Sequence, residues 1–329
     1  MKLASLKDGS RDGQLVVVAR DLSRAHHAGA IAGTLQRVLD DWNFLAPQLE
    51  DLYAALNEGR ARHAFAFEPQ QCMAPLARAF QRACGSTYLN HVELLHRARG
   101  AEPPAGLREE PLMYQGGSDG FLGPCDDVAF AGADRGLDFE AEVAAVTGDV
   151  PMGAAPEAAL EGVRLLMLAN DWTLRALVPA ELARGLGFVQ SKPATAFSPV
   201  AVTPDELGAA WSGGRVHLAL DCTLNGLRVG RCETGPEMHF HFGRLIAHLA
   251  RTRNVRAGSI VGSGTVSNRD RARGCSCIAE QRAIETIERG APQTPYMAAG
   301  DRIRIEMPGA DGASIFGAID QRVAAPAGG

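Results

Sequence analysis

Asn225-Gly226 stands between two runs in which apolar and polar side chains alternate. Val216, Leu218, Leu220, Cys222 and Leu224 precede it, and Leu227 and Val229 follow. Asn and Gly both tolerate positive φ, and a two-residue turn that needs it twice matches the twist of paired strands. The pattern predicts an antiparallel hairpin. Asp301 to Met307 alternates in the same way, with Ala313 to Ile319 as its expected partner, and Gly13 to Arg20 reads as a buried strand. Helical spacing is expected over about 29–57 with a break near Pro47, over 156–168, and over 237–252 with a stripe of Phe242, Leu245, Ile246 and Leu249. Strands and helices do not alternate regularly, so the expected class is β-rich α+β. A soft boundary falls near 70–78, after Glu68-Pro69-Gln70-Gln71, giving a small N-terminal α+β domain over 1–75 and a larger domain over 76–329.

Composition removes several function classes. Among 329 residues, 46% are hydrophobic and 22% charged, which excludes a disordered chain and a coiled coil. Lys+Arg 33 against Asp+Glu 38 gives net charge −5, with no basic footprint for nucleic acid. No apolar run approaches the roughly 18 residues of a membrane span. The first residues lack the apolar run of a secretory signal, so a cytoplasmic location is expected. Seven cysteines without Cys-x-x-Cys spacing point to reduced thiols.

The stretch Leu137 to Val146 carries the strongest chemical signal. As a strand it places Asp138, Glu140 and Glu142 on one face, opposite Phe139, Ala141 and Val143. Such carboxylates either face solvent or gather around a hard cation. Asp171 follows an expected helical stretch and adds another acid, with Arg175 one helical turn on to orient it or a substrate anion. Lys192, between apolar residues and Pro193, suits an oxyanion clamp, and His91 a general base. Three motifs lead elsewhere. Gly116-Gly117-Ser118-Asp119-Gly120 is followed by Phe121-Leu122-Gly123-Pro124, which does not open the helix a nucleophile elbow requires. Gly262-Ser263-Gly264 lacks the third glycine of a dinucleotide loop. His239 and His241 are expected inside a helix, where i and i+2 face apart.

Taken in order, six segments resemble the fumarylacetoacetate hydrolase family: Tyr88 to Leu94, Met113 to Gly116, Asp138 to Glu142, Asn170 to Arg175, Gln190 to Pro193 and Gly262 to Ser267. The resemblance runs from about residue 80 to the end and is weaker before that. It implies a mixed β-sandwich roll with a small N-terminal α+β domain, and a homodimer. It also implies a divalent cation, Mg²⁺ or Ca²⁺ with Mn²⁺ also compatible, on Glu140, Glu142 and Asp171. By the same resemblance His91 paired with Glu280 is the base, Lys192 and Arg175 hold an oxyanion, and Tyr114 and Thr265 contact substrate.

The implied activity is hydrolysis of a carbon–carbon bond in a β-diketo or acylpyruvate-type keto acid, as in aromatic compound catabolism. The alternatives are a 2-oxo-acid hydratase, isomerase or decarboxylase, or a catalytically silent metabolite-binding homologue. Two positions depart from the family pattern. Cys84 stands where fumarylacetoacetase-type members have a fourth metal-binding Asp, and Val178 lies near the position of an oxyanion-hole Gln.

Overall fold

The computed structural model describes residues 1–130 and 135–325. Its largest sheet runs in the order Phe65–Ala66, Arg24–His27, Gln14–Val18, Lys2–Leu6, Ala201–Val202, Val163–Asp171, Ala141–Thr147, Ile260–Gly262, Arg82–Gly85, Met113–Gly116. Neighbours are antiparallel except Ile260–Gly262 beside Arg82–Gly85, which is parallel. Thr195–Phe197 adds to the end of Val163–Asp171, opposite Asp171, Asn170 and Ala169. The N-terminal strands therefore belong to the same sheet as the segments that carry the chemical motifs.

Both faces of this sheet are covered, as the aliphatic content of its central strands requires. On one face Ala141, Val143, Ala145, Leu166 and Leu168 join a core with Tyr88, Trp172 and Phe242. On the other, Ala144, Val146, Leu165 and Met167 pack with Leu3, Leu15, Val17 and the N-terminal helical residues Leu35, Leu49 and Leu56. The alternation along each strand divides its side chains between the two cores.

A second sheet has the order Leu227–Glu233, Ala219–Leu224, Arg302–Glu306, Ile319–Arg322. The expected hairpin is present, and Asn225 and Gly226 have φ of 51° and 80°, the double left-handed turn their sequence suggests. The partner of the 302–306 strand is Ile319–Arg322, which overlaps the expected 313–319 only at its last residue. Ile305 faces Ile319, and earlier in the expected segment Ser314 makes an isolated bridge to Pro308. Gly312 and Gly317, both at positive φ, bend the chain before it straightens.

Three expected helices differ. Helix Pro156–Glu161 stops before Gly162, and Val163–Asp171 is a strand. A continuous buried apolar run does not itself distinguish strand from helix. The break expected near Pro47 occurs at Asp41, between helices Leu35–Asp40 and Trp42–Asn57, and Pro47 lies within the second at the cost of one backbone hydrogen bond. Helix Phe242–Leu249 buries the expected stripe, but 237–241 is non-helical and His241 is its N-cap residue. All seven cysteines are free, and no helix among the described residues is long and apolar enough to cross a membrane.

Candidate functional site

Three strands deliver the central cluster. Cys84 comes from Arg82–Gly85, Glu142 from Ala141–Thr147, and Asp171 from the end of Val163–Asp171. Between the first two runs Ile260–Gly262, and Gly262 pairs with both Cys84 and Ala144. A Cβ at Gly262 would lie 2.8 Å from both Cys84 Sγ and Glu142 Oε2, so only glycine lets these side chains meet across the intervening strand. The Cys84 thiol donates to Glu142 Oε2 at 3.1 Å, and ligand-type atoms of Cys84, Glu142 and Asp171 all lie within 4.8 Å of one another.

The acidic run does not form a solvated face. Its strand is interrupted at Phe139 and Glu140, and Asp138, Glu140 and Glu142 are all buried. Asp138 accepts from the backbone N–H groups of Ile278 and Ala279 at 2.7 and 2.9 Å, so it caps helix Ile278–Arg289. Glu140 turns toward cations: Arg175 Nη2 and Lys192 Nζ each lie 2.5 Å from its oxygens. Arg175 also donates to Asp138 at 2.8 Å. It follows the short strand Thr173–Leu174 and is not on a helix with Asp171, because the expected helix is a strand. Its partners are Asp138 and Glu140.

Lys192 Nζ bridges Glu140 and Asp171, lying 2.9 Å from Asp171 Oδ2 and 2.7 Å from Thr173 Oγ1. Burial works against the charge on Lys192, but Asp171 and Glu140 outweigh it and raise its pKa. Asp171 also accepts from Thr195 Oγ1 at 3.0 Å and from the Tyr114 hydroxyl, and Arg82 Nη2 lies 2.9 Å from its Oδ1. Burial opposes ionisation of Asp171, yet Arg82 and Lys192 hold its carboxyl below the ordinary range. Glu142 has no such cation in contact. Burial, then the charges of Asp171 and Glu140, pushes it up to about 8.

Helix Leu89–Ala98 carries His91 and helix Ile278–Arg289 carries Glu280. His91 Nδ1 lies 2.9 Å from Glu280 Oε1. His91, Tyr114, Glu140, Glu142, Lys192 and Thr265 line one cavity of about 820 Å³, with Arg175, Cys84 and Val178 also on its wall. Asp171 stands behind that wall, under Tyr114 and Lys192. The loop before Lys192 is pinned by Glu181, from helix Val178–Arg184. Its carboxylate accepts from the backbone N–H of Val189, Gln190 and Ser191 and from the Ser191 hydroxyl. Burial is the largest single influence and opposes ionisation, but the four bonds together outweigh it and lower the Glu181 carboxyl to about 2.

Sequence reasoning missed Arg82, the capping role of Asp138 and the latch at Glu181. Arg82 had a signal: two residues before Cys84, on a strand, it leaves the same face. Of the three set-aside motifs, Gly116-Gly117-Ser118-Asp119-Gly120 leaves a strand and opens no helix.

The large mixed sheet, the second antiparallel sheet and the helices between their strands make a β-rich α+β fold. Residues 82–324 match the family model described as fumarylacetoacetate (FAA) hydrolase C-terminal, and residues 1–78 match fumarylacetoacetase N-terminal domain 2. The chain belongs to the fumarylacetoacetate hydrolase family.

Solved structures share the fold over its whole length. Fumarylacetoacetate hydrolase from psychrophilic Exiguobacterium antarcticum is 18% identical, with TM-score 0.66 and 99% of each chain covered. Maleylpyruvate hydrolase from Sphingobium sp. SYK-6, in complex with manganese(II) and pyruvate, is 17% identical, with TM-score 0.66 over 99% of this chain and 100% of that one. A probable 2-hydroxyhepta-2,4-diene-1,7-dioate isomerase from Mycobacterium abscessus is 18% identical, with TM-score 0.66 and 100% of each chain covered. No curated relative matches the chain.

Proposed function

We propose that the protein is a divalent-metal-dependent hydrolase that cleaves a carbon–carbon bond in a β-diketo or acylpyruvate-type acid. The observation that carries this reading is His91, backed by Glu280, on the wall of the cavity that also holds Glu140, Glu142, Lys192 and Arg175. A base, an anion clamp and a carboxylate cluster around one space are the parts that attack on a carbonyl requires.

The residues fit a divalent cation. Ligand-type atoms of Glu142 and Asp171 lie within 4.8 Å of each other and of Cys84, and Glu140, outside that close group, is joined to Asp171 through Lys192 Nζ. Glu142, bonded only to a thiol among the described residues, keeps oxygen lone pairs free. Glu140, Glu142 and Asp171 would hold the ion, and hard oxygen donors suit Mg²⁺, Ca²⁺ or Mn²⁺. When bound, the cation supplies Lewis acidity to a substrate carbonyl.

The chain's own groups do the rest. Glu280 holds His91 Nδ1, which leaves Nε2 to take a proton from water in the cavity. The Glu280 carboxylate orients the ring and fixes which nitrogen it holds. Arg175 has no partner for Nη1 among the described residues and can offer it to an oxyanion. Lys192 Nζ, engaged by Glu140, Asp171 and Thr173, would serve one only after a cation took over the two carboxylates. Tyr114 and Thr265 line the wall and would contact a substrate bound there. The family's two-fold assembly makes a homodimer the expected state.

A screen of diketo acids and acylpyruvates with Mg²⁺, Mn²⁺ or chelator tests the reading. Metal-dependent release of two carboxylic fragments is expected. Hydration or isomerisation without cleavage would redirect it to the alternatives, and binding without turnover would make the protein a silent homologue.

A further inference from the structure

We propose that Arg82 is a built-in cation of the acidic cluster, which keeps Asp171 charge-balanced without a metal and competes with any divalent ion that binds there. This rests on the reading that Glu142 and Asp171 face a cation. Arg82 is 3% exposed, on the strand next to the sheet's edge, and its Nη2 lies 2.9 Å from Asp171 Oδ1. A fully buried guanidinium needs an acid partner. It also cannot give up its proton, so its charge is permanent.

The chain makes room for it. Arg82 pairs in register with Gly116 on the neighbouring strand, and a Cβ at Gly116 would lie 2.3 Å from Arg82 Nη1. Tyr114, two residues earlier, borders the same guanidinium, with its hydroxyl 3.3 Å from Nη1 and its ring centroid 5.7 Å from Cζ. Gly116, part of a motif that builds no nucleophile elbow, thus gains a role as the space into which the guanidinium fits.

Asp171 is satisfied before any metal arrives. Arg82 and Thr195 face Oδ1, while Lys192 and Tyr114 donate to Oδ2. Arg82 and Cys84 leave the same face of one strand, so the guanidinium sits beside the thiol that stands in the place of a carboxylate. One anionic ligand fewer and one fixed positive charge more both act against a divalent ion. Charge count sets the affinity of oxygen-ligand sites. The consequence is a cluster that stays folded without metal and binds it weakly.

Mn²⁺ titrations followed by electron paramagnetic resonance, which counts free ion, test this on the full-length protein without turnover. Arg82→Met keeps the volume and removes the charge, and Gly116→Ala pushes the guanidinium aside. Each is expected to bind Mn²⁺ at least about tenfold more tightly than wild type. Equal or weaker binding by folded variants overturns the proposal. The wild-type protein supplies a second measurement, which holds if neither variant folds. Its melting temperature should be unchanged by chelator, and a marked fall on chelation overturns the proposal. Failure of both wild type and variants to bind Mn²⁺ or Mg²⁺ at millimolar concentration overturns the underlying cation reading as well.

Discussion

Glu280 Oε1 lies 2.9 Å from His91 Nδ1, although 189 positions separate them in the chain. The contact depends on two helices meeting, and Asp138 fixes one of them by capping its first turn. Glu280→Gln keeps a hydrogen-bonding side chain but removes the carboxylate that holds the ring at Nδ1. Turnover should fall by about 10²-fold or more, with near-ultraviolet circular dichroism unchanged. Wild-type kcat in this variant would remove Glu280 from the reaction.

Glu142→Gln replaces a carboxyl already pushed up to about 8 with a neutral group of the same shape. The metal-free fold should survive with little change in melting temperature. Turnover should collapse, because the cation loses an anionic ligand. Normal activity and metal content in the variant would move the ion elsewhere.

Cys84→Asp places a second carboxylate against Glu142, where the thiol now donates at 3.1 Å. Without metal, an incompletely paired buried charge should cost about 3 kcal/mol. Arg82, on the same strand face, offsets part of that. With Mg²⁺ or Mn²⁺ the added ligand should tighten binding and restore the melting temperature. Paired calorimetric titrations and thermal melts read both effects, and unchanged affinity with a lowered melting point would show that Cys84 is only packed there.

Glu181 gives a pH signature. Its folded pKa is about 2, below the ordinary 4.5, because the 189–191 loop donates four hydrogen bonds to its ionised form. A depressed carboxyl contributes stability in full above the unfolded pKa and loses it as pH falls through the folded one. Wild type should therefore lose stability from about pH 4.5 towards pH 2, and Glu181→Gln should lack that part of the slope. Urea unfolding at stepped pH measures it. Parallel curves for the two proteins would show that the latch contributes nothing.

The fold was legible where local chemistry alone decided it. Asn225-Gly226 fixed a turn, and the Phe242 stripe marked a buried helical face. Val163 to Asp171 was misread because burial on both faces erases alternation, and with it went the expected spacing of Asp171 and Arg175. The residues of the candidate site were nameable from ordered motifs, but their pairings were not. Lys192 bridges Glu140 and Asp171 only because separate segments converge. Arg82 escaped notice for the same reason: an arginine on a strand is ordinary until its partner is known to lie beneath the sheet's surface.

Strand Lys2–Leu6 pairs with Ala201–Val202, which pairs at Val202 with Leu166 of the strand that ends in Asp171. A shortened protein that begins after residue 78 would bare that edge, together with the apolar face formed by Ala144, Val146, Leu165 and Met167. An open strand edge beside a naked apolar surface invites self-association. Attempts to produce the larger segment alone should therefore yield insoluble material, however intact the residues around its cavity.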